Sequence, residues 1–239
     1  MFNAFTSGAA APGAPLDRSP VRHVLVGIPF TGHWVTDGIA RFAEVCGHQS
    51  ALNRDVKFTV KLLSGSSVIS FNVEFMRNCI VGMVLADPTV TDLWFIDSDT
   101  QPSINAMSLL RHDADIVAGV YPIPDAEVGQ VWSAYEPAGE IYRKMTTLPD
   151  APFEAGGAGT GAMLIKRKVL ADARMRLGMG KEGEPPWVFR TVRSGSGACE
   201  MTDDLDFCLR ARKAGYHILV DPSVRFGHVK EYLYGERHK

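Results

Sequence analysis

The feature that most constrains the fold is an alternation of apolar, strand-like runs with segments of helical periodicity through the first half of the chain. The strands are predicted at Val24–Pro29, Val56–Leu63, Asp92–Ile96 and Ile116–Tyr121, and the helices at Asp37–Gln49, Val73–Ala86 and, as a short one, after Pro102-Ser103. Strands and helices that alternate at these intervals indicate an α/β fold, with a mostly parallel central sheet flanked by helices on both faces.

The second half of the chain is less regular and predicts a smaller antiparallel part. Strands are predicted at Gln130–Tyr135, Glu140–Met145, Ala162–Ile165 and His217–Val220, the first two as a hairpin and the last ending before Asp221-Pro222. A helix over Asp203–Ala214 ends at Gly215, a residue type common just after helices. The Gly-, Pro- and Ser-rich stretch Gly178–Gly197 predicts a mobile loop.

Length and composition favour one soluble domain. Of the 239 residues, 46% are hydrophobic and 22% are charged, which is typical of globular proteins and excludes a wholly disordered chain. We expect a flexible leader at 1–20, rich in Ala, Pro, Gly and Ser, a single domain over 21–230 and a tail at 231–239. No run approaches the roughly 20 apolar residues of a membrane span.

Charge and cysteine usage add two expectations. The net charge is −2, but residues 161–239 hold 15 Lys and Arg against 10 Asp and Glu, so the C-terminal third could face an anionic ligand. The four cysteines have no C-x-x-C spacing, which favours reduced thiols and a cytoplasmic location.

The sequence Asp97-Ser98-Asp99 directly follows an apolar strand. Ligands of open α/β sheets collect at the carboxyl ends of strands, and two carboxylates there can converge on a hard divalent cation. Acidic residues that cap a following helix would give the same pattern, so the motif alone leaves both interpretations open.

His228, in Arg225-Phe226-Gly227-His228, follows a predicted strand far downstream. A lone histidine is more often structural than a ligand, but its imidazole could complete a Mn²⁺ or Mg²⁺ site begun by Asp99. Manganese suits such a site better than calcium.

Acidic residues open the helix predicted at Asp203–Ala214. Capping and the helix dipole explain one acid at such a position, whereas the sequence Thr202-Asp203-Asp204-Leu205-Asp206 has three. One of them could be a general base that deprotonates an acceptor hydroxyl.

The glycine-rich run Gly156–Gly161 offers backbone N–H groups with little steric obstruction. It is neither a P-loop, because no Gly-Lys-Ser/Thr follows, nor a dinucleotide fingerprint, because a strand follows it. A ligand-binding segment and a simple bend between strands both fit.

Taken in order, these segments resemble the GT-A glycosyltransferases, especially the inverting family 2 and related viral and bacterial members. The resemblance covers about residues 22–230. Its motifs are Val24–Pro29, Met76-Arg77-Asn78, Leu93–Asp99, Gly159–Arg167, Asp203–Arg210 and Asp221-Pro222 through Gly227-His228.

The resemblance implies a GT-A fold and a nucleotide-diphosphate sugar donor, expected to be a UDP-sugar, bound with Mn²⁺ or Mg²⁺. It implies the following roles: Asp99, His228 and Asp97 at the metal, Asp97 also near the ribose, Asp204 as the base beside Asp203, and Pro29, Phe30, Thr31, Arg77, Ser98, Gly159, Thr160 and Gly161 at the donor. The family more often has Glu where this chain has Asp203.

The expected function is therefore metal-dependent transfer of a sugar to an acceptor hydroxyl, with inversion. The acceptor is expected to be a carbohydrate or a small molecule, and the basic C-terminal third leaves modified bases of DNA as an alternative. Two further alternatives are a haloacid-dehalogenase-like phosphatase with Asp97 as nucleophile and a non-catalytic nucleotide-sugar binding protein.

Overall fold

The computed structural model describes residues 21–30, 37–52, 55–64, 73–138, 141–178 and 185–229. The predicted leader at 1–20, Thr31 and the predicted tail at 231–239 lie outside these ranges. The strands are β1 (Arg22–Phe30), β2 (Val56–Ser64), β3 (Asp92–Phe95), β4 (Thr100–Gln101), β5 (Ile116–Val120), β6 (Pro122–Asp125), β7 (Gly129–Ala138), β8 (Ile141–Met145), β9 (Phe153–Glu154), β10 (Gly157–Ala158), β11 (Met163–Lys166), β12 (Val192–Arg193), β13 (Cys199–Met201), β14 (Ile218–Arg225) and β15 (Gly227–His228). The helices are α1 (Asp37–Leu52), α2 (Val73–Ala86), α3 (Arg167–Ala171) and α4 (Asp203–Lys213), with 3-10 segments at Ala106–Arg111, Thr160–Ala162 and Ala173–Met175.

Seven strands form the central sheet, in the order β2-β1-β3-β11-β5-β14-β9. β1 is parallel to β2 and β3, and β14 is parallel to β5. β11 lies between β3 and β5 and runs antiparallel to both, and the edge strand β9 is antiparallel to β14. The predicted mostly parallel sheet is confirmed. Because β11 is reversed, its amino end lies beside the carboxyl ends of β3 and β5.

Alternate side chains of β3 pack on opposite faces of this sheet. Leu93 and Phe95 belong to a larger apolar core that also contains Phe207 of α4. Trp94 belongs to a second core with α1, where its ring meets Phe42 edge-on at a centroid distance of 5.0 Å. Helices therefore cover both faces, as predicted.

A smaller antiparallel sheet is built around β7, which pairs with β6, β8 and β10. The hairpin predicted from the sequence is the β7–β8 pair of this sheet. Both parts of the predicted α/β fold class are thus present, and this is the architecture that the GT-A resemblance implies.

Two predicted elements differ in detail from the structure. The helix predicted after Pro102-Ser103 is a 3-10 segment, Ala106–Arg111. The strand predicted to stop before Asp221-Pro222 continues to Arg225 as β14, with a shift of register against β5 at this point. Pro222 has no N–H for the ladder, so the strand passes it by an irregularity in the pairing.

The predicted mobile loop at Gly178–Gly197 contains regular structure. Residues 179–184 lie outside the described ranges, but Val192–Arg193 pairs with Cys199–Met201 as the β12–β13 hairpin. This hairpin leads directly into α4. That helix ends at Lys213, one residue before the predicted end, and Gly215 lies just beyond its last turn with a φ of +87°.

All four cysteines are described, and none of them forms a disulfide. Within the described ranges, no helix has both the length and the apolar character needed to cross a membrane.

Candidate functional site

The candidate site lies at the carboxyl ends of β3 and β5. Asp97-Ser98-Asp99 leaves β3, and the amide of Thr100 donates a hydrogen bond of 3.0 Å to the carbonyl of Asp97, which turns the chain sharply. The reversed β11 brings the glycine-rich segment to the same edge. The Asp97-Ser98-Asp99 segment therefore stands at the position where open α/β sheets bind ligands.

His228 is placed beside Asp99 by backbone pairing. β15 pairs with β4 so that His228 lies opposite Thr100, and the amide of Val229 donates a hydrogen bond of 2.8 Å to the carbonyl of Asp99. The imidazole Nε2 lies 3.2 Å from Oδ2 of Asp99. Two of the three residues that the resemblance implies at the metal, Asp99 and His228, are thus brought together.

The second ring nitrogen of His228 determines what Nε2 can do. Nδ1 lies 2.8 Å from the carbonyl oxygen of Pro122, and because a carbonyl only accepts, Nδ1 must carry a hydrogen. In the neutral imidazole, Nε2 then presents a lone pair toward the Asp99 carboxylate. A proton or a metal cation between these two acceptors is needed to make the contact favourable.

Arg77 occupies the space on the other side of the Asp97-Ser98-Asp99 segment. Its Nη2 donates to both carboxylate oxygens of Asp97, at 2.9 and 3.1 Å, and its Nη1 donates to Oδ2 of Asp203 at 2.6 Å. Burial disfavours the charged guanidinium, but Asp97 and Asp203 outweigh this effect and raise the pKa of Arg77 well above its usual value. Arg77 therefore bridges the two acidic motifs.

The three acids at the start of α4 have separate partners. Asp203 is paired with Arg77, and the buried Asp206 accepts from Arg210 at 2.8 Å and from Arg190. Asp204 is half-buried, and its Oδ1 accepts from the hydroxyl of Thr202 and the amide of Leu205, the latter at 2.9 Å. Burial raises the pKa of the Asp204 carboxyl, with a further contribution from the negative charge of Asp203. Of the acid pair, Asp203 is therefore bound to Arg77, whereas Asp204 is the acid with the raised pKa.

Tyr121 is a site residue that the sequence did not single out. Its buried ring packs edge-on against His228 with a centroid distance of 5.1 Å. Burial raises the pKa of the phenol well above its usual value, and the nearby carboxylates of Asp97 and Asp204 raise it further. Tyr121 is thus close to His228, Asp97 and Asp204. A polar aromatic residue directly after an apolar strand was the available signal.

The glycine-rich segment makes close contacts with these side chains. A Cβ atom at Gly161 would lie 3.0 Å from Oδ2 of Asp97 and 3.1 Å from the Tyr121 ring, and one at Gly159 would lie 2.1 Å from the Tyr121 hydroxyl oxygen. Thr160 between them is fully buried, and its hydroxyl has no hydrogen-bond partner among the described residues. Packing within the protein therefore requires glycine at both positions.

The remaining predicted donor residues lie at the ends of β1 and β3. Pro29 and Phe30 are the last two residues of β1 and pair with Leu63 and Ser64 of β2. Ser98 is half-buried between the two aspartates of its motif. Their predicted contacts with the donor remain predictions.

The described residues contain no group of three or more His, Cys, Asp or Glu side chains close enough to hold a metal ion. Asp97 faces Arg77, whereas Asp99 and His228 lie beside each other, and the predicted metal roles of all three remain predictions. The remaining positions of a coordination shell would have to come from a ligand and from water.

No protein-family model matches the chain, and no curated protein matches its sequence. Solved structures are similar in fold. A197 from STIV has a TM-score of 0.52 and 18% identity, covering 88% of this chain and 87% of A197. GalNAc-T7, solved with UDP, GalNAc and Mn²⁺, has a TM-score of 0.49 and 13% identity, covering 90% of this chain and 45% of its own. The catalytic domain of Drosophila β1,4-galactosyltransferase 7, solved with xylobiose, has a TM-score of 0.47 and 17% identity, covering 88% and 72%. The similarity to A197 shows a shared fold.

Proposed function

We propose that this chain is a metal-dependent glycosyltransferase that moves a sugar from a nucleotide-diphosphate sugar, expected to be a UDP-sugar, to an acceptor hydroxyl. The observation that carries the proposal is the Asp99–His228 pair at the carboxyl end of β3, with the Nε2 lone pair turned toward the carboxylate. A carboxylate and an imidazole form a mixed oxygen and nitrogen set that suits Mn²⁺, and Mg²⁺ is the second candidate.

Asp99 and His228 would hold the metal. When bound, the ion neutralises negative charge that develops on the leaving diphosphate. His228 is oriented for this role by its hydrogen bond to the Pro122 carbonyl, the kind of outer-shell contact that metal-binding histidines usually make.

The donor is proposed to lie across the carboxyl edge of the central sheet. The nucleobase would be bordered by Pro29, Phe30 and Thr31. The ribose and diphosphate would be bordered by Ser98 and Asp97. Gly159, Thr160 and Gly161 are proposed to lie next to the sugar, and all three are buried among protein groups in this structure. Thr31 lies outside the described ranges.

Asp204 is the proposed general base. Its raised pKa makes the carboxylate a better proton acceptor than an exposed aspartate. In direct displacement, the acceptor oxygen loses its proton to Asp204 and bonds to the anomeric carbon. The bond from that carbon to the diphosphate breaks, the electron pair leaves with the diphosphate, and the anomeric configuration inverts. The acceptor is proposed to be a carbohydrate or small molecule.

The geometry favours glycosyl transfer over the phosphatase alternative. A nucleophilic Asp97 would need a carboxylate oxygen directed at a phosphorus atom, whereas both of its oxygens accept hydrogen bonds from Arg77. An Arg-paired, hydrogen-bonded carboxylate is a weaker nucleophile.

The test is release of nucleotide from a panel of nucleotide sugars with Mn²⁺, over a panel of sugar and small-molecule acceptors, with Asp99→Ala as the inactive control. NMR of the product gives the anomeric configuration, and retention would exclude direct displacement. UDP binding with no turnover across the panel would instead support a non-catalytic binding protein. Release of phosphate from a phosphomonoester, abolished by Asp97→Asn, would support the phosphatase.

A further inference from the structure

Arg77 is predicted to lie near the donor, and in the structure it contacts two aspartates of the candidate site. The Arg77 side chain is 6% exposed, and both terminal nitrogens donate to carboxylates of the protein itself. Asp97 and Asp203, its partners, lie 20 and 126 residues away in sequence, on separate elements. A donor phosphate would compete with these aspartates for the terminal nitrogens, while the buried Nε–H has no hydrogen-bond partner among the described residues.

We propose that Arg77 is a positioning residue that locks the Asp97-Ser98-Asp99 segment to the acid pair at the start of α4. It thereby fixes the distance between Asp97, on the proposed donor side of the site, and Asp203, next to the proposed base Asp204. This inference rests on the proposed glycosyl transfer for its catalytic consequence.

The guanidinium is suited to this bridging because it is planar and presents its donors in a fixed fork. One terminal nitrogen serves Asp97 and the other serves Asp203 at 2.6 Å, so the two carboxylates are held at a set spacing. A lysine ammonium is a single point charge and cannot reproduce both directions at once.

The helix that carries Arg77 is itself firmly anchored. The neighbouring Asn78 is fully buried and binds three backbone groups of the segment before β12. Its Oδ1 accepts from the amides of Val188 and Phe189, and its Nδ2 donates to the Phe189 carbonyl. Consecutive residues of α2 therefore hold the acid pair and the chain that leads toward α4.

The distance between the two carboxylates matters because direct displacement requires the general base and the anomeric carbon of the donor to be aligned with the acceptor hydroxyl. Asp204 follows Asp203 directly, and Asp99 is two residues from Asp97. By holding Asp203 and Asp97, Arg77 therefore also restricts the positions of Asp204 and Asp99. A displacement of about 1 Å of such groups can lower turnover by about 100-fold.

The experiment compares Arg77→Lys and Arg77→Gln with Arg22→Gln as a matched control. Arg22 makes a similar two-point contact with Asp92, at 3.0 and 2.7 Å, where β1 and β3 begin, at the opposite end of the sheet. We expect both Arg77 variants to lower kcat by about 100-fold or more with donor KM changed by less than about 3-fold. Arg22→Gln should leave kcat within about 3-fold while lowering the melting temperature.

A second measurement is independent of turnover. Arg77→Gln leaves the buried Asp203 and the half-buried Asp97 without their cation, so the double variants with Asp203→Asn or Asp97→Asn should each melt at a higher temperature than Arg77→Gln alone. This result would support the bridge even if no donor were turned over, in which case only the proposed function would fail.

Two outcomes would overturn the role. A raised donor KM with unchanged kcat would make Arg77 a donor ligand. Equal kcat losses in Arg77→Gln and Arg22→Gln, with double variants no more stable than Arg77→Gln, would leave Arg77 an ordinary structural ion pair.

Discussion

Nε2 of His228 lies 3.2 Å from Oδ2 of Asp99, although the two residues are 129 positions apart in the sequence. Nδ1 donates its hydrogen to the Pro122 carbonyl, so in the neutral imidazole Nε2 carries no hydrogen and faces the carboxylate with its lone pair. The His228 side chain is 10% exposed and that of Asp99 is 35% exposed, which leaves the pair open on one side. This arrangement is suited to a cation shared between the two side chains.

The first prediction concerns that cation. His228→Ala and Asp99→Ala should each weaken Mn²⁺ binding by more than about 100-fold, since loss of a ligand should exceed the effect of losing an outer-shell partner. Isothermal titration of Mn²⁺ without donor gives the affinities. His217→Ala is the matched control, because His217 also contacts a carboxylate, Glu154, at 2.8 Å, but on the exposed surface. Equal affinities in all three variants would exclude this site.

The second prediction concerns Asp204. Because burial raises the pKa of its carboxyl, activity should fall as pH decreases through that raised value, where the base becomes protonated. Asp204→Asn should lower kcat by about 100- to 10,000-fold. A pH profile of kcat/KM and a comparison of the two proteins at the optimum provide the measurement.

The same shift has a consequence for stability. An aspartate whose pKa is higher in the folded than in the unfolded chain binds protons more readily when folded, so its ionisation disfavours folding. Asp204→Asn should therefore raise the melting temperature at neutral pH. The gain should disappear below about pH 4, where the unfolded aspartate is also protonated. A loss of stability at neutral pH would contradict the raised pKa.

Much of the fold was predictable because its signals are local. The periodicity of α2 gave its bounds, Val73–Ala86, to the residue, and the apolar run of β1 gave all but its ends. The position of β11 was not predictable in this way. Its reversal between β3 and β5 depends on pairing with strands about 50 to 70 residues away, which local periodicity does not encode.

In the candidate site, too, local sequence motifs were predictable and contacts between distant segments were not. The acids at 97, 99, 203 and 204 and His228 were predicted from motifs and their order along the chain, and the structure brings Asp99 to His228. Tyr121 was missed because it ends an apolar run and has the pattern of a core residue. The contact between Arg77 and Asp203 was missed because it joins α2 to α4, and only the folded chain brings these helices together.

The third prediction concerns Gly161. An added methyl group would lie 2.9 Å from Cγ2 of Thr100 and 3.0 Å from Oδ2 of Asp97, so Thr100 would have to shift and Asp97 would have to move by a few tenths of an ångström. Gly161→Ala should cost about 1 to 3 kcal/mol of unfolding free energy and lower donor turnover. Gly195→Ala is the control, because its added methyl group meets nothing within 4 Å. Chemical denaturation and the nucleotide-release assay measure both effects, and a Gly161→Ala protein as active as Gly195→Ala would show that the contact relaxes without consequence.

The fourth prediction concerns Asn78, whose buried amide makes three hydrogen bonds to the backbone at Val188 and Phe189. Asn78→Ala leaves buried donors and an acceptor without partners, at about 1 to 3 kcal/mol for each group. The variant should be strongly destabilised, and the amides of residues 188 and 189 should exchange hydrogen faster. Asn105→Ala is the matched control, since Asn105 donates to the Ser223 carbonyl at an exposed position and should cost less than about 1 kcal/mol. If exchange at 188 and 189 stayed as slow as in the wild type, then Arg210, which donates to the Val188 carbonyl, would be the main anchor of this segment. The contribution of α2 to holding residues 188 and 189 in place would then be small.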